Sequence, residues 1–200
     1  MIDQRRIDDI VRFYTRFSDE ERQHKATSIG CYRPTRMDYL KDLFHILSEE
    51  GFLQYGDVFL DAGGGDGRVA ALGAAYNMRT YSIEGDRRIH ALAEKRIAKL
   101  REEGILPPVS RSEHPILAYG NFLDIRTYVR LQLRPSIIDT VFNGGDNELA
   151  VARFMRQHTG QGTYMLLKQS DGIAAERELL HVETYRDGTG RVMGKIFSLH

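Results

Sequence analysis

The sequence contains very little cysteine, no excess of charge of either sign and no long apolar run. It has 200 residues, of which one is cysteine, 28 are basic and 28 are acidic. The single cysteine, Cys31, excludes a disulfide framework within the chain and a metal cage built from several cysteines. The formal net charge of zero gives no support for a general attraction to nucleic acid or anionic membranes, although it leaves room for a local basic patch. No stretch approaches the roughly 20 apolar residues that a membrane span requires.

The N-terminus has no apolar segment of the kind that a signal peptide carries. Its opening residues, MIDQRRIDDIVRF, alternate charged with apolar side chains instead. With 42% hydrophobic residues, a chain of this length can bury a sizeable core and is too short for two large domains. These properties predict a cytoplasmic, globular protein organised as a single unit.

Two helices are predicted in the first quarter of the chain. Residues 2–24 carry apolar side chains at three- and four-residue spacing, which predicts an amphipathic helix. Residues 25–34 are interpreted as a connector. Thr35 followed by Asp38 matches a capping box at the start of a second helix, which is expected to stop at Gly51. The apolar stripe of this second helix consists of Leu40, Leu43, Phe44 and Leu47.

From residue 57 onward, short apolar runs alternate with helical patterns. This order is typical of an α/β protein with a doubly wound, mostly parallel sheet, and the last two runs predict an antiparallel hairpin. We therefore predict a seven-stranded, Rossmann-like domain over residues 51–200, with an antiparallel C-terminal hairpin and an N-terminal helical cap over residues 1–50. The predicted strands are 58–60, 79–83, 115–119, 137–142, 163–167, 178–185 and 191–199, and the predicted helices are 68–76, 87–103 and 149–158.

The most informative segment is the glycine-rich turn between the first strand of this sheet and its helix. Its pattern is D-x-G-x-G-x-G, made by Asp61, Gly63, Gly65 and Gly67. Glycines in such a turn let the backbone approach a ligand closely and adopt positive φ angles. A dinucleotide-binding fold has the pattern G-x-G-x-x-G, and from Gly63 that register requires a glycine where Arg68 stands.

The carboxylate at the end of the first strand separates two classes of ligand. Asp61 would repel the pyrophosphate of a dinucleotide and attract an ammonium group. The position therefore suits a ligand with an amino-acid moiety and no phosphate, and S-adenosylmethionine is such a ligand. An NAD-dependent oxidoreductase stays open as the alternative from another enzyme class. A non-catalytic module that binds the cofactor without transferring any group also stays open.

At this turn the chain resembles the class I, seven-strand S-adenosylmethionine-dependent methyltransferases, and the resemblance continues downstream. By comparison with that family, Glu84 at the end of the second strand would accept hydrogen bonds from the ribose hydroxyls. Asn121 would bind the adenine amine, a position where the family usually has Asp, and Phe122 would lie against the adenine ring. Asn143, after the fourth strand, would face the methionine end and the methyl acceptor. The resemblance implies a methyltransferase whose glycine-rich turn holds this cofactor.

Each of these residues also has a purely structural explanation when it is taken alone. Glycines in a strand-to-helix turn can serve the turn geometry only. Glu84 can be a solvated charge at a strand end, and Phe122 can be a core residue. The combination of the residues, in the order that the family has, is what favours a cofactor site.

The segment before the second helix indicates a class of methyl acceptor. Tyr32, Pro34 and Thr35, with the Gly-Asp-Gly-Arg run of the turn, look like the corresponding parts of the seven-strand protein-lysine methyltransferases. By that comparison Tyr32 and Thr35 would cover the methionine end of the cofactor, and a protein lysine is the leading acceptor. Capping of the second helix by Thr35 is compatible with this role. A small molecule or RNA is the alternative acceptor, and the oligomeric state is left open.

The residues after the fourth strand narrow the choice of acceptor. Asn143 is followed by Gly144-Gly145, where enzymes that methylate base amino groups or glutamine amides have two prolines and an aromatic residue. This difference argues against a planar amine and leaves a wide mouth for a long side chain or a small molecule. Tyr32, Tyr119 and Tyr164 are candidate liners of a channel in which an amine would lose its proton more easily.

Two weaker patterns favour the simpler interpretation. Three arginines recur every four residues, and a solvated helix face is favoured over an RNA-binding stripe. Several acidic and amide residues do not follow the order found in metal-assisted O-methyltransferases, so no metal site is predicted. The arginines are Arg126, Arg130 and Arg134, and the acidic and amide residues are Asp139, Asp146, Asn147 and Asp171.

Overall fold

Helices and strands alternate along the chain in the computed structural model. The helices are α1 (Gln4–Ser18), α2 (Met37–Glu49), α3 (Arg68–Ala75), α4 (Arg87–Glu102), α5 (Ile125–Arg130) and α6 (Glu148–His158), with a 3-10 turn at Pro135–Ile137. The strands are β1 (Lys25–Thr27), β2 (Gly30–Tyr32), β3 (Val58–Ala62), β4 (Arg79–Glu84), β5 (Ile116–Tyr119), β6 (Thr140–Asn143), β7 (Tyr164–Lys168), β8 (Leu180–Arg186) and β9 (Val192–Ser198). The structure describes residues 2–18, 25–27, 30–32, 34–107, 114–145, 147–168, 179–186, 188–190 and 192–200, and of residues 18, 25–27, 30–32 and 168 it describes the backbone alone.

The main sheet has seven strands in the order β5-β4-β3-β6-β7-β9-β8. The strands from β5 to β7 in this order are parallel, and β9 runs antiparallel to both of its neighbours. The sheet grows in one direction from β3 to β5 and in the other from β6 onward, so β3 and β6 flank a switch point of the kind at which open α/β sheets bind ligands. The predicted fold class, including the antiparallel C-terminal hairpin, is confirmed.

Side chains of the central strands alternate between two cores, one on each face of the sheet. Leu60 of β3 packs on the face that Tyr128 of α5 and Met155 of α6 cover. Phe59 packs on the opposite face with residues of α1, α2 and α3. Because side chains in a strand alternate with a period of two, Asp61 shares the face of Phe59. A carboxylate is thus placed on the face that the N-terminal helices cover.

The N-terminal helices are built into the core. Ile7, Ile10 and Tyr14 of α1 are completely buried, and the apolar stripe predicted for α2 is buried as well. A salt bridge of 2.8 Å joins Lys41 of α2 to Asp8 of α1. The second predicted helix is confirmed, and the first is confirmed over Gln4–Ser18, with residues 19–24 of the predicted range lying outside the described residues.

Two predictions for the segment between these helices are wrong. Residues 25–34 are not a plain connector, because β1 and β2 pair as an antiparallel ladder. Strands of three residues are too short to show a period of two in the sequence. The capping box is also absent, since α2 begins at Met37 with Arg36 at its N-cap and no side-chain cap. The Thr35 carbonyl accepts a hydrogen bond from Arg68 instead.

The described residues of the arginine repeat and of the acidic and amide group do not come together at one site. Helix α5 ends at Arg130, so Arg134 does not continue its face, and Arg126 forms an exposed ion pair with Asp124. Asp139 lies at the start of β6, at the opposite edge of the sheet from the glycine-rich turn, and accepts a hydrogen bond of 2.7 Å from the Val58 amide. Asp146 and Asp171 lie outside the described residues.

None of the helices in the described part of the chain combines the length and apolar character that a bilayer span requires.

Candidate functional site

The side chains predicted to bind the cofactor converge at the carboxyl edge of the parallel strands. Asp61 is the last residue but one of β3, Glu84 ends β4 and Asn143 ends β6. The register pairs Asp61 with Ser82 of β4 on one side and with Phe142 of β6 on the other. The sheet therefore places the acid of β3 between the two neighbouring strand ends, at the switch point.

The glycine-rich turn needs glycine for both its backbone angles and its packing. The φ angles are +91° at Gly63, +53° at Gly65 and +84° at Gly67, a region that L side chains rarely adopt. Gly64 is limited by space, because an added Cβ atom would lie 1.9 Å from Ser82 Oγ. The amides of Gly63 and Gly64 both donate to the Ile83 carbonyl at 3.0 Å. The turn is thus held tightly against the end of β4.

Asp61 is a buried carboxyl group whose charge is poorly compensated by the protein. Its side chain accepts one hydrogen bond of 3.2 Å, from Ser82 Oγ, and the residue is 1% exposed. Burial raises the pKa of Asp61 to about 8, with Glu84 and Asp66 adding to the rise through their negative charges and the Ser82 bond opposing it. An arriving cation would supply the compensation that is missing and would favour the ionised form.

Glu84 is buried and is bound to the turn. Its Oε2 accepts from the Gly65 amide at 2.8 Å, and its Oε1 accepts from the Asp86 amide at 2.7 Å. Burial raises the pKa of Glu84, and these backbone hydrogen bonds oppose that rise. The explanation of Glu84 as a solvated strand-end charge is therefore wrong, since the residue is 8% exposed. Each carboxylate oxygen keeps a second lone pair for a hydroxyl donor.

Asn143 carries a buried acceptor that has no hydrogen-bond partner among the described residues. Its Nδ2 donates to the Ala62 carbonyl at 2.7 Å, which ties the end of β6 to the end of β3. Its Oδ1 is buried and unpaired. A Cβ atom added at Gly63 would lie 3.9 Å from Asn143 Nδ2, so the amide stands directly beside the glycine-rich turn. A ligand with an N–H or O–H group would satisfy this atom.

The two residues predicted to hold adenine are close to the turn but are used differently by the fold. Asn121 is exposed, and its Oδ1 accepts from the Leu123 amide at 2.9 Å, which closes a local turn. Phe122 is buried in the core, and its carbonyl accepts from Tyr128 at 2.8 Å. The Phe122 ring also comes within 3.8 Å of where a Cβ atom at Gly63 would be. The ring thus borders the turn, and adenine binding by the pair stays a prediction.

The residues predicted to cover the methionine end or to line a channel do not all lie at the carboxyl edge of the sheet. Tyr32 ends β2, and its side chain lies outside the described part of the chain. Thr35 is buried. Tyr119 ends β5 at the same edge as Glu84 and is half exposed. Tyr164 is not a channel liner, because it begins β7 at the opposite edge and packs edge-on against Phe52 at 5.3 Å.

Sequence reasoning missed the role of three charged residues beneath the turn. Asp66, between two of the glycines, is 1% exposed and pairs with both Arg68 and Arg96. The Gly-Asp-Gly-Arg run contains Asp66 and Arg68. Their opposite charges, two residues apart, are the signal from which the sequence could have predicted this ion pair. Arg96 is 30 residues further along the chain, so only the tertiary fold brings it to Asp66.

No family model matches the chain, and no curated protein matches its sequence. Solved structures do match it in fold. The nicotianamine synthase MtNAS, as a point mutant in complex with S-adenosylmethionine, is 11% identical and has a TM-score of 0.61, with 98% of this chain and 70% of that chain covered. The C-terminal domain of a precorrin-6Y methyltransferase from Rhodobacter capsulatus is 16% identical and has a TM-score of 0.52, with 83% and 89% covered. A protein-L-isoaspartate O-methyltransferase is 18% identical and has a TM-score of 0.50, with 72% and 40% covered.

Identities this low establish a shared fold and nothing finer. The first five strands of the sheet follow the order that a dinucleotide-binding fold also has, and the antiparallel β9 departs from the parallel arrangement of that fold. The chain therefore has the Rossmann-like, seven-strand fold of class I S-adenosylmethionine-dependent methyltransferases.

Proposed function

We propose that the protein is an S-adenosylmethionine-dependent methyltransferase. The observation that carries this proposal is the Asp61 carboxyl, buried at a turn that allows close backbone approach and lacking a cationic partner among the groups that shift its pKa. A cation suits that position, and a diphosphate would add repulsion to an already unfavourable charge. The α-ammonium group of an adenosyl amino acid supplies such a cation.

The residues at the switch point fit the parts of this cofactor. Asp61 would hold the ammonium group, and Glu84 would accept from the ribose hydroxyls through its remaining lone pairs. Gly63, Gly65 and Gly67 would let the backbone lie against the amino-acid part. The unpaired Oδ1 of Asn143 is the observation that tests the fit, because a buried acceptor without a donor is uncommon unless a ligand completes it.

The chain would contribute orientation, exclusion of water and one hydrogen-bond acceptor. When bound, S-adenosylmethionine supplies a carbon electrophile on a positively charged sulfur: attack at the methyl group leaves S-adenosylhomocysteine, and attack at the amino-acid chain leaves methylthioadenosine. Asn143 Oδ1 would accept a hydrogen bond from an N–H group of the attacking amine and would thereby orient the amine for attack. The amine gives up its proton to water before attack, and burial near the turn lowers its pKa toward neutrality.

For the acceptor we propose the side-chain amine of a protein lysine. Two observations support an unbranched amine that reaches in from outside. The first is the unpaired acceptor of Asn143, which suits an N–H donor. The second is the space at Gly145, where an added Cβ atom would meet no atom of the described residues within 4 Å. A small-molecule amine shares this chemistry and is the main rival, with RNA as the other.

A second candidate reaction is transfer of the aminocarboxypropyl chain in place of the methyl group. The observation that favours it is coverage. The MtNAS structures align over 97–98% of this chain, including its N-terminal helices, whereas the two methyltransferases described above align over 72–83%. One MtNAS structure is a complex with MTA and tNA. MTA is the abbreviation of methylthioadenosine, a product that methyl transfer does not leave.

The experiment that tests both reactions uses S-adenosylmethionine labelled at either the methyl or the carboxyl carbon. The protein is incubated with cell protein, lysine peptides, RNA and a metabolite extract, and the sulfur product is identified by mass spectrometry. Methyl label in protein with S-adenosylhomocysteine as product is the expected result. Carboxyl label in the acceptor with methylthioadenosine as product would replace methyl transfer with the second reaction.

The acceptor fractions decide the rest. Label that resists nuclease and enters protein bands supports lysine, and acid hydrolysis should then yield methyl-lysine. Label confined to small molecules or removed by nuclease would overturn the lysine proposal and leave the methyltransferase proposal intact. Binding of S-adenosylhomocysteine without transfer to any acceptor would favour a binding module, and binding of NAD in its place would favour the oxidoreductase.

A further inference from the structure

The glycine-rich turn rests on a buried charged cluster that the cofactor site does not use directly. This Asp66 cluster consists of Asp66, Arg68, Arg96 and Tyr14. Arg68 donates to the Asp66 carboxylate through Nε at 2.8 Å and Nη2 at 2.7 Å, and Arg96 donates to the same carboxylate from α4. All four residues are at most 5% exposed. Two guanidinium groups thus converge on the same buried carboxylate.

Hydrogen bonds and cation–π contacts join the cluster to the N-terminal helices. The Tyr14 hydroxyl of α1 donates to the Asp66 carbonyl at 3.4 Å, and Arg68 Nη1 donates to the Thr35 carbonyl just before α2 at 2.7 Å. The guanidinium groups of Arg68 and Arg96 lie 5.5 and 5.8 Å from the centre of the Tyr14 ring. Cation–π contacts of this kind add an attraction between the guanidinium groups and α1.

The cluster also fixes the turn from below. Asp66 stands between Gly65, whose amide donates to Glu84, and Gly67, where an added Cβ atom would lie within 3.5 Å of α4 and of the Tyr14 hydroxyl. Side chains of α1 and α4 thus lie close to the turn at Gly67, and the ion pairs of Asp66 oppose movement of the turn away from them. The Gly65–Glu84 hydrogen bond is therefore set by the same residues that hold α1.

A buried cluster of this kind is a poor source of net stability. Removing ionised groups from water costs about as much as their attraction returns, and apolar replacements of similar volume are often neutral or stabilising. What the ion pairs supply here is geometry, because a guanidinium binds a carboxylate in a defined plane and direction.

We propose that Arg96, Arg68 and Tyr14 are positioning residues for the cofactor turn. They act through Asp66 to hold the Gly65 amide against Glu84, so that docking of the N-terminal helices sets the affinity for the adenosyl ligand. This inference rests on the proposed function. It also predicts that this turn and α1 lose their order together.

The test compares Arg96→Met with Leu100→Val, a core substitution one turn further along the same helix that removes none of the hydrogen bonds or ion pairs of the cluster. Two quantities are measured well below the melting temperature: hydrogen exchange at the Gly65 amide and the Kd for S-adenosylhomocysteine. Arg96→Met is expected to speed Gly65 exchange and raise the Kd at least tenfold each. Leu100→Val is expected to change neither more than twofold, even where it lowers the melting temperature as much. Arg96→Lys, which keeps the charge, should recover part of both losses.

Equal behaviour of Arg96→Met and Leu100→Val in both measurements would overturn the inference. If Arg96→Met does not fold, Tyr14→Phe removes only the hydroxyl, and unchanged Gly65 exchange in that variant would overturn it instead. If the unaltered protein does not bind S-adenosylhomocysteine, the proposed function fails on that observation. Gly65 exchange in the same variants then still decides whether the cluster positions the turn.

Discussion

The two halves of the candidate site differ in how firmly the protein holds them. On the side of β3 and β4, the turn is fixed by hydrogen bonds to Ile83 and Glu84 and by the ion pairs of Asp66. On the side of β6, Asn143 has an acceptor without a partner among the described residues, and a Cβ atom added at Gly145 would meet none of their atoms within 4 Å. One half is a rigid frame with little freedom of sequence. The other half is open and has few contacts of its own.

This difference explains what each half can reveal. A frame that requires glycine at particular positions and an acid at another leaves a pattern in the sequence, and the pattern identifies a class of ligand. An open mouth places few demands on residue type, so it leaves almost no pattern. The sequence therefore predicts the cofactor, whereas the acceptor has to be found by experiment.

The largest effect is expected from Gly64→Ala. Its Cβ atom would lie 1.9 Å from Ser82 Oγ and 3.2 Å from Ser82 Cβ, so the turn must shift or the bond from Ser82 to Asp61 must break. Overpacking of this kind costs about 1–3 kcal/mol, and at its upper end that energy corresponds to about a hundredfold loss of affinity for S-adenosylhomocysteine. Calorimetric titration and thermal unfolding would measure the two losses.

Gly145→Ala is the matched control on the open side of the site. Its added Cβ atom would have no neighbour within 4 Å in the described part of the chain, so we expect affinity and stability close to those of the unaltered protein. The double variant Gly64→Ala with Ser82→Ala removes the clashing hydroxyl and should recover part of the loss. A Gly64→Ala protein that binds as well as the control would contradict the rigid-frame description.

The next effect concerns Asp61→Asn and depends on pH. Because the pKa of Asp61 is raised to about 8, the unaltered protein must release a proton to bind the ammonium group below that pH. Hydrogen bonds to charged groups contribute about 1.5–3 kcal/mol, so we expect Asp61→Asn to weaken binding about thirtyfold at pH 8. The difference should shrink as the pH falls toward 6, and a difference independent of pH would contradict this role.

The same pKa predicts how the stability of the free protein varies with pH. The folded state binds the Asp61 proton more tightly than the unfolded state, whose pKa is about 3.9. The stabilising contribution of this group is therefore fully present below about pH 4 and is lost as the pH rises through about 8. Denaturant unfolding of Asp61→Asn at several pH values should show a smaller decline over this range.

A smaller effect is expected from Asn143→Ala, which tests the open half. The substitution removes the donor to the Ala62 carbonyl and the acceptor proposed for the attacking amine. Loss of one hydrogen bond costs about 1 kcal/mol of stability, and turnover should fall roughly tenfold with a smaller change in cofactor affinity. Steady-state kinetics with the acceptor found in the labelling experiment would measure both. If only the cofactor affinity falls and turnover is unchanged, Asn143 holds the cofactor and does not bind the attacking amine.

The smallest effect is expected from Arg126→Ala on α5. Arg126 is exposed and pairs only locally with Asp124, which also caps the helix through backbone amides. Exposed pairs of this kind contribute little to stability. Melting temperature, cofactor affinity and transfer should all stay within error, and a clear loss of transfer to RNA would revive the basic-stripe hypothesis.

The parts of the fold that could be predicted are those with local causes. The apolar stripe of α2 and the apolar runs of β3 and β6 follow from periodicity, and the glycines of the turn follow from its backbone angles. Asp61 was identified because a carboxylate at the end of this strand would attract an ammonium group and repel a pyrophosphate. These features depend on residues that are close together in the chain.

The parts that could not be predicted depend on contacts between distant segments. The pairing of Asp66 with Arg96 appears only when α4 packs beside the turn, and the sequence alone suggests that a helix arginine is solvated. Thr35 has the residue type of a cap, yet its carbonyl is bound by Arg68 while α2 starts two residues later. Tyr164 was placed near the acceptor although it begins its strand at the far edge.

The most direct measurement is calorimetric titration of the intact protein with S-adenosylhomocysteine near pH 7, in two buffers that differ in their heat of ionisation. The account predicts binding that releases about one proton per site, because the carboxyl at the end of β3 must ionise to meet the ammonium group. It also predicts no binding of NAD under the same conditions. Binding of NAD in place of the adenosyl ligand, or adenosyl binding without proton release, would contradict it.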